Sequence, residues 1–546
     1  MSRLRSCRHW VASQFGDRHF SRTLFLLLAL LYSGFSLVRA NTYLIGGYDA
    51  GIFDQAIRHY AHFQLPYVTL KGDGYLIWAD HFHPIIMAWA PLYWIWDNIA
   101  VLGIGQGVVV ALTVFPAWRF VRRHMTNKAW AKVFVAAMML FWPIQSLINF
   151  DVHEIAFALP LLAWVIEALD RRDDRGLVIA SALLLLVRED MGALVFMIGL
   201  VRLIWWKGLV PDAEESSAPP PRAKSSGGRR RPRDWVVALA LMIGGLVVFY
   251  LVTSVVIPHF NPGGFQYWNY PALGDSPSQA VVTAVTKPWR VVSLFFFPWD
   301  KTLTWACLLV PLALLPLRSP YALIAAPIMA ERFLAGRWTL WSIDFHYNAP
   351  VWIVFALAAV DAVARMKPVH LDALRSGLRR VFHLRSITGR GAVMEAASKL
   401  LGVAVVLGMV LAATRLSPVE ARMFTFTELL TGRAYHLSAQ QQARADVVAW
   451  LPRDTCVAAD GMVAGSLTHR NRVTVPSVSQ HRQDFYALDL SEPTPTLTPA
   501  GWTTMDAYAH ATGLGFVEVY RSGSIVGLQA PDYTGPDPTQ CGPDAI

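Results

Sequence analysis

Residues 48–63, YDAGIFDQAIRHYAHF, carry two stripes at once. Ile52, Phe53, Ala56, Ile57 and Tyr60 recur at helical spacings, while Asp54, Arg58 and His62 recur every four residues on another face. The pattern predicts a short helix lying on a membrane surface. Asp49 stands just before it, and ADHFHPI at 79–85 follows with Asp80, His81 and His83. Carboxylates and imidazoles packed between apolar runs are costly unless they serve a purpose, so the loop 40–83 reads as half of an active site.

Working outward, apolar runs recur from residue 24 to 414, and only 16% of the 546 residues are charged, against about 25% in soluble domains. This is an all-α polytopic membrane protein by composition. The net charge of +10 raises the question of nucleic acid, but its placement answers it. Arginines crowd residues 1–22, RRRPR at 229–233, and Arg375, Arg379, Arg380, Arg385 and Arg390, whereas the tail from 415 has nine arginines, thirteen acids and no lysine. Basic segments mark the cytoplasmic side, so the amino terminus is expected in the cytoplasm and the tail 415–546 outside a bacterial plasma membrane. The charge is a topology signal, and no nucleic-acid partner is expected.

Between 23 and 414 the runs give about 11 transmembrane helices: 23–39, 99–121, 129–148, 155–169, two short or broken spans across 177–206, then 235–257, 302–316, 319–333, 349–364 and 397–414. VRED at 187–190 interrupts the broken pair, and 84–96 and 287–300 read as interfacial. Residues 211–234 form a disordered cytoplasmic linker and 365–396 a basic cytoplasmic loop. In the tail, TCVAAD, RVTVPS, DFYALDL, FVEVY and SIVGLQ alternate with helices near 437–451 and 503–512, which predicts a small extracytoplasmic α/β domain. Cys456 and Cys541 both fall in it, where they can pair or stay free.

On this topology the acids and histidines of separate loops converge on one outer cleft. Asp49 and Asp54 are candidate functional carboxylates, although Asp49 can also cap the helix and Asp54 can pair with Arg58. Asp151, His153 and Glu154 resemble a metal half-site, and Glu189 and Asp190 interrupt an apolar run, which solvation alone does not explain. Arg188, Arg332, His346 and Tyr347 can bind a phosphate, and Arg332 can equally neutralise Glu331. Asp80, His81 and His83 resemble a metal half-site that would suit a divalent ion such as Mg or Mn. No GxGxxG, Walker loop, GxSxG or HExxH occurs in a plausible context, so nucleotide-dependent chemistry has no support.

At YDAGIFDQ, DHFHPI, FDVHE, VRED, ER at 331–332 and FHY at 345–347 the chain resembles a bacterial family of predicted multispanning proteins with a domain of unknown function. That family is similar to the GT-C membrane glycosyltransferases, which use polyprenyl-phosphate sugars on the outer face. The resemblance implies that Asp49 is the catalytic base with Asp54 as its substitute, that Asp151 and Glu154 form the second acidic site, and that Arg332 and His346 hold the donor phosphate. The adjacent acidic pair of some GT-C branches is absent from the first loop. The implied partners are a lipid-linked sugar donor, an envelope glycan, glycolipid or protein acceptor, and membrane lipids, with no cofactor required. Two other readings fit the composition: a transporter or flippase of a lipid-linked or polar solute with Glu189, Asp190 and Arg332 along its path, and a non-catalytic envelope assembly protein acting through the tail.

Overall fold

The computed structural model describes residues 19–206, 232–261, 268–366, 390–413, 426–476, 478–491 and 501–542. In chain order, α1 is Phe20–Asn41, α2 Ile52–Ala61, α3 Ala100–His124, α4 Lys128–Asn149, α5 Ala158–Arg171, α6 Asp174–Leu184 and α7 Met191–Trp206. There follow α8 Pro232–Leu251, which continues through further turns to Phe260, then α9 Pro277–Thr286, α10 Pro288–Leu294, α11 Trp299–Leu309, α12 Ala326–Leu334, α13 Asn348–Ala364 and α14 Arg390–Ala413. Among the described residues, four helices are long and apolar enough to cross a membrane: α1, α3, α4 and Trp235–Phe260, the body of α8. Shorter apolar helices include Pro84–Tyr93, Met191–Ile204 and α13, and α6 and α7 are parted at 185–190, where VRED falls.

Why the helices pack follows from their small residues. Gly103 and Gly107 of α3 face Ser36 and Ser33 of α1, and a Cβ at Gly103 would lie 2.6 Å from the Ser36 Cβ. Between α7 and α8, a Cβ at Gly192 would lie 2.5 Å from the Gly245 carbonyl oxygen, so only glycine lets these backbones approach so closely. At the centre stands α13, buried from Asn348 to Val363, which explains a helix apolar all round. Its Trp352 stacks on Phe141 at 4.2 Å and donates to the Met138 carbonyl at 2.9 Å.

The tail folds around a sheet of β1 Cys456–Ala459, β2 Arg472–Thr474, β3 Phe485–Asp489, β4 Val517–Ser522 and β5 Ile525–Gln529, with α15 Ala439–Trp450 and α16 Thr504–Gly513. Strand order is β2-β1-β3-β5-β4, with β1 parallel to β2 and β3 and β5 antiparallel to β3 and β4. Cys456 and Cys541 are joined in a disulfide. This domain sits at the Asn41 end of α1, where Gln441 donates to the Thr42 carbonyl at 2.8 Å.

Several expectations change. The helix α2 does not lie on a surface: Ile52 to His59 are all buried, because the sheet domain covers it, and Gln55 donates to the Val473 carbonyl at 2.9 Å. Helix α8 begins at Pro232 and α14 at Arg390, inside the segments 211–234 and 365–396 read as linker and loop. The rest of those two segments and most of the basic stretch 1–22 lie outside the described residues.

Candidate functional site

Asp49 lies in a π-helical turn, Gly47–Gly51, that leads into α2. The sheet domain presses on this turn: a Cβ at Gly47 would meet the Ala464 Cβ at 2.6 Å, and Gly465 lies against the backbone of Ile45 and Gly46. Glycine at these positions therefore lets two distant parts of the chain close over one carboxylate. Asp49 is half-buried, and its carboxylate accepts no hydrogen bond from the described residues. Burial, followed by the nearby Glu154 charge, pushes its pKa up to about 6, while Lys71 and Arg337 pull it down.

Those two cations differ in their own surroundings. Lys71 pairs with Asp80 at 2.8 Å and lies 5.0 Å from the Tyr48 ring centroid. Arg337 is exposed, and its guanidinium forms no ion pair with the described residues.

Asp54, the other candidate base, is different in kind. It is fully buried, accepts from Tyr93 Oη at 2.5 Å and pairs with Arg58 at 3.3 Å. The helix-pairing alternative for Asp54 is the one its observed partners match. Asp151 is likewise engaged: Oδ1 lies 2.8 Å from Arg39 Nη2 and Oδ2 accepts from the Gly46 amide at 2.8 Å. It ties the last turn of α1 to the turn that carries Asp49.

Glu154 and Asp190 are held by Arg188, and Glu189 by His81. Arg188 binds both oxygens of Asp190, at 2.8 and 2.6 Å, and reaches Glu154 at 3.4 Å and Glu331 at 3.9 Å. It is a hub for carboxylates, and Glu331 turns to it and not to Arg332. The Arg332 guanidinium donates to the Leu340 and Tyr347 carbonyls and to Asn348 Oδ1, at 2.6, 2.8 and 2.8 Å, so it shapes the loop that carries His346 and Tyr347.

His153 and His346 stack at 3.6 Å between ring centroids, with Phe150 within 5.5 Å of each. Burial pulls His153 down to about 4 and His346 well below the ordinary histidine value, so both are neutral, and His153 Nε2 and His346 Nδ1 have no hydrogen-bond partner among the described residues. The ring of Tyr347 lies 3.9 Å from that of His346.

The expected metal half-site does not assemble. Asp80 turns to Lys71, His81 Nδ1 lies 2.6 Å from Glu189, and His83 is buried against Phe53 at 5.3 Å. Among the described residues no three His, Cys, Asp or Glu side chains are placed to hold an ion. Burial works against protonation of His81, but Glu189 overcomes it and raises the ring to about 9, whereas burial and the His81 charge take His83 down to about 4. One histidine is thus a cation and its neighbour is neutral.

Lys71 and Arg337 are the residues that sequence reasoning missed. The signal was there: both stand in loops that the charge rule, applied to the sequence, assigns to the side where cations are disfavoured, so each needs a local reason. Together these groups offer one unpaired carboxylate with a raised proton affinity and two cations whose charge acts on it. It can take a proton from a hydroxyl and steady a developing anion.

The crystal structure of ArnT from Cupriavidus metallidurans bound to undecaprenyl phosphate is similar in fold, with a TM-score of 0.50 at 12% identity, covering 94% of this chain and 99% of that one. The apo structure of the same ArnT aligns over 98% of this chain and 100% of that one at 12% identity, with a TM-score of 0.46. No curated protein matches the sequence. The family model described as "Predicted membrane protein (DUF2079)" matches residues 39–495, and the chain belongs to that family.

Proposed function

We propose that this protein is an integral-membrane glycosyltransferase of the GT-C type, moving a sugar from a polyprenyl-phosphate donor to an envelope acceptor on the extracytoplasmic face. The observation that carries the reading is the Asp49 carboxylate, unpaired among the described residues and facing the influence of Lys71 and Arg337. Likeness in fold to ArnT bound to undecaprenyl phosphate supports a lipid-phosphate donor. The disulfide Cys456–Cys541 supports an oxidising compartment for the tail, and with it an extracytoplasmic carboxyl terminus; about 11 spans and a cytoplasmic amino terminus complete this reading.

In this mechanism Asp49 takes the proton of the acceptor hydroxyl as its oxygen bonds to the sugar's anomeric carbon. The bond from that carbon to the phosphate oxygen breaks, and the polyprenyl phosphate leaves with its charge met by Arg337 and Lys71. The Arg188 hub holds the opposing carboxylates, and the neutral His153–His346 stack with Tyr347 offers a flat surface for a sugar ring. No metal is needed for any of these steps.

The test is mass spectrometry of envelope glycans and lipid-linked sugars in a deletion strain complemented with wild type or Asp49→Asn. Deletion should remove a glycan or accumulate a polyprenyl-phosphate sugar, and normally expressed Asp49→Asn should not restore the profile. Full restoration by Asp49→Asn would overturn the assignment.

A further inference from the structure

A second polar cavity, of about 310 Å³, opens between α2 and the sheet domain and shares no lining residue with the Asp49 site. Arg58, His62 and Asp97 line one side, and His469, Arg470 and Arg472 the other. Arg58 is 6% exposed, and its terminal nitrogens are engaged with Asp54 and Asp97. Its Nε, the Nε of Arg470 and the Nδ1 of His469 are buried and unpartnered among the described residues. The Arg470 Nη2 donates to the Leu451 carbonyl at 2.8 Å, whereas the Arg472 guanidinium binds none of the described residues.

Cations this crowded repel one another. Burial lowers the proton affinity of Arg470, with Arg453 adding to the effect; burial and Arg58 together lower that of Arg472, against the pull of Asp454. An anion in the cavity would relieve both. Guanidinium groups in a convergent set match the oxygens of a phosphate better than any single acceptor does.

The mouth of the cavity points to where that phosphate comes from. Phe63, 87% exposed, stands between the lining residues His62 and Gln64, and Trp94 and Ile95, 61% and 84% exposed, stand just before Asp97. The Phe63 and Trp94 rings are 6.0 Å apart, and Trp94 Nε1 donates to the Ala61 carbonyl at 2.8 Å, so the apolar knot is held in place. It lies shortly before α3 enters its long apolar run, the position at which aromatic side chains meet a membrane surface.

We propose that this cavity binds a phosphate group at the membrane surface, with Arg58, Arg470 and Arg472 on its oxygens and Phe63, Trp94 and Ile95 against the neighbouring lipid. The site is independent of the transfer chemistry assigned to Asp49. It can be tested on the full chain in a phosphate-free sugar detergent, titrated with dihexanoyl phosphatidylglycerol or with inorganic phosphate and read by native mass spectrometry. Wild type should retain at least one of the two probes. Retention of the lipid alone marks a headgroup site, and equal retention of inorganic phosphate marks a soluble phosphate as the source.

Arg472→Glu should weaken binding at least about tenfold, and Arg472→Lys should recover most of it. His469→Ala, which leaves β2 untouched, should weaken binding less. Absence of binding by wild type, or equal binding by wild type, Arg472→Glu and His469→Ala, would overturn the proposal.

Discussion

The two ends of the helix bundle are both rich in charge, but they use it differently. At the end away from the sheet domain, Glu167 lies 3.1 Å from Arg123, and Asp170 lies 2.8 Å from Arg123 and 3.0 Å from His124. Asp361 pairs with Arg365 at 2.6 Å and accepts from Ser319 at 2.6 Å. Each of these carboxylates is matched locally. At the sheet-domain end most are matched as well, through Arg39, Lys71, His81 and Arg188, yet Asp49 and Arg337 stand apart and buried imidazole nitrogens lack partners. A network closed on itself stabilises a fold; one left open has capacity for a ligand.

That contrast can be broken by experiment, beginning where the largest effect is expected. Asp49→Asn should lower the rate of sugar transfer by about 10²–10⁴-fold with an unchanged melting profile, measured on purified protein with a polyprenyl-phosphate donor. A variant that melts early would move Asp49 into the structural class. Arg337→Ala should cost about 10²-fold in kcat, as loss of one charge-stabilising donor does, and Arg337→Lys should regain part of it. At the other end, Glu167→Gln should lower stability by about 2 kcal/mol, since its partners are partly exposed, while the specific activity of the folded fraction stays at the wild-type level.

The pH dependence sharpens the same comparison. Asp49 works as the carboxylate, so with a pKa of about 6 the rate should be level above it and fall tenfold per unit as pH drops below it. An acid limb centred near the ordinary aspartate value, about 4, would mean that its burial is relieved when substrate binds. A chelator in the assay should have the smallest effect, leaving the rate unchanged, because the transfer is assigned to Asp49 and its neighbouring cations. Loss of activity that Mg or Mn restores would bring the Asp80 segment back into the chemistry.

Much of the architecture was legible because it rests on local rules. Hydropathy gave the long helices, and the charges of VRED identified the break between α6 and α7. Turn residues between β-branched runs gave the sheet domain its strands. What could not be read is what covers what. Asp49 and Asp54 are five residues apart and look alike in sequence; only the arrival of Tyr93 and the sheet domain over α2 makes one of them inaccessible. The same holds for Arg332, whose acceptors are carbonyls that no side-chain pattern reveals.

The seam of Gly47 against Ala464 and Gly465 bears on how the protein is made. The turn that holds Asp49 is among the first parts of the chain to leave the ribosome, and the domain that roofs it is among the last. Hydrogen bonds such as Gln55 to Val473 join residues 418 positions apart. Half-synthesised chains, already threading the bilayer, therefore carry an Asp49 without its enclosure. The enclosure of Asp49 is completed late, when the tail has been made and has folded onto the turn.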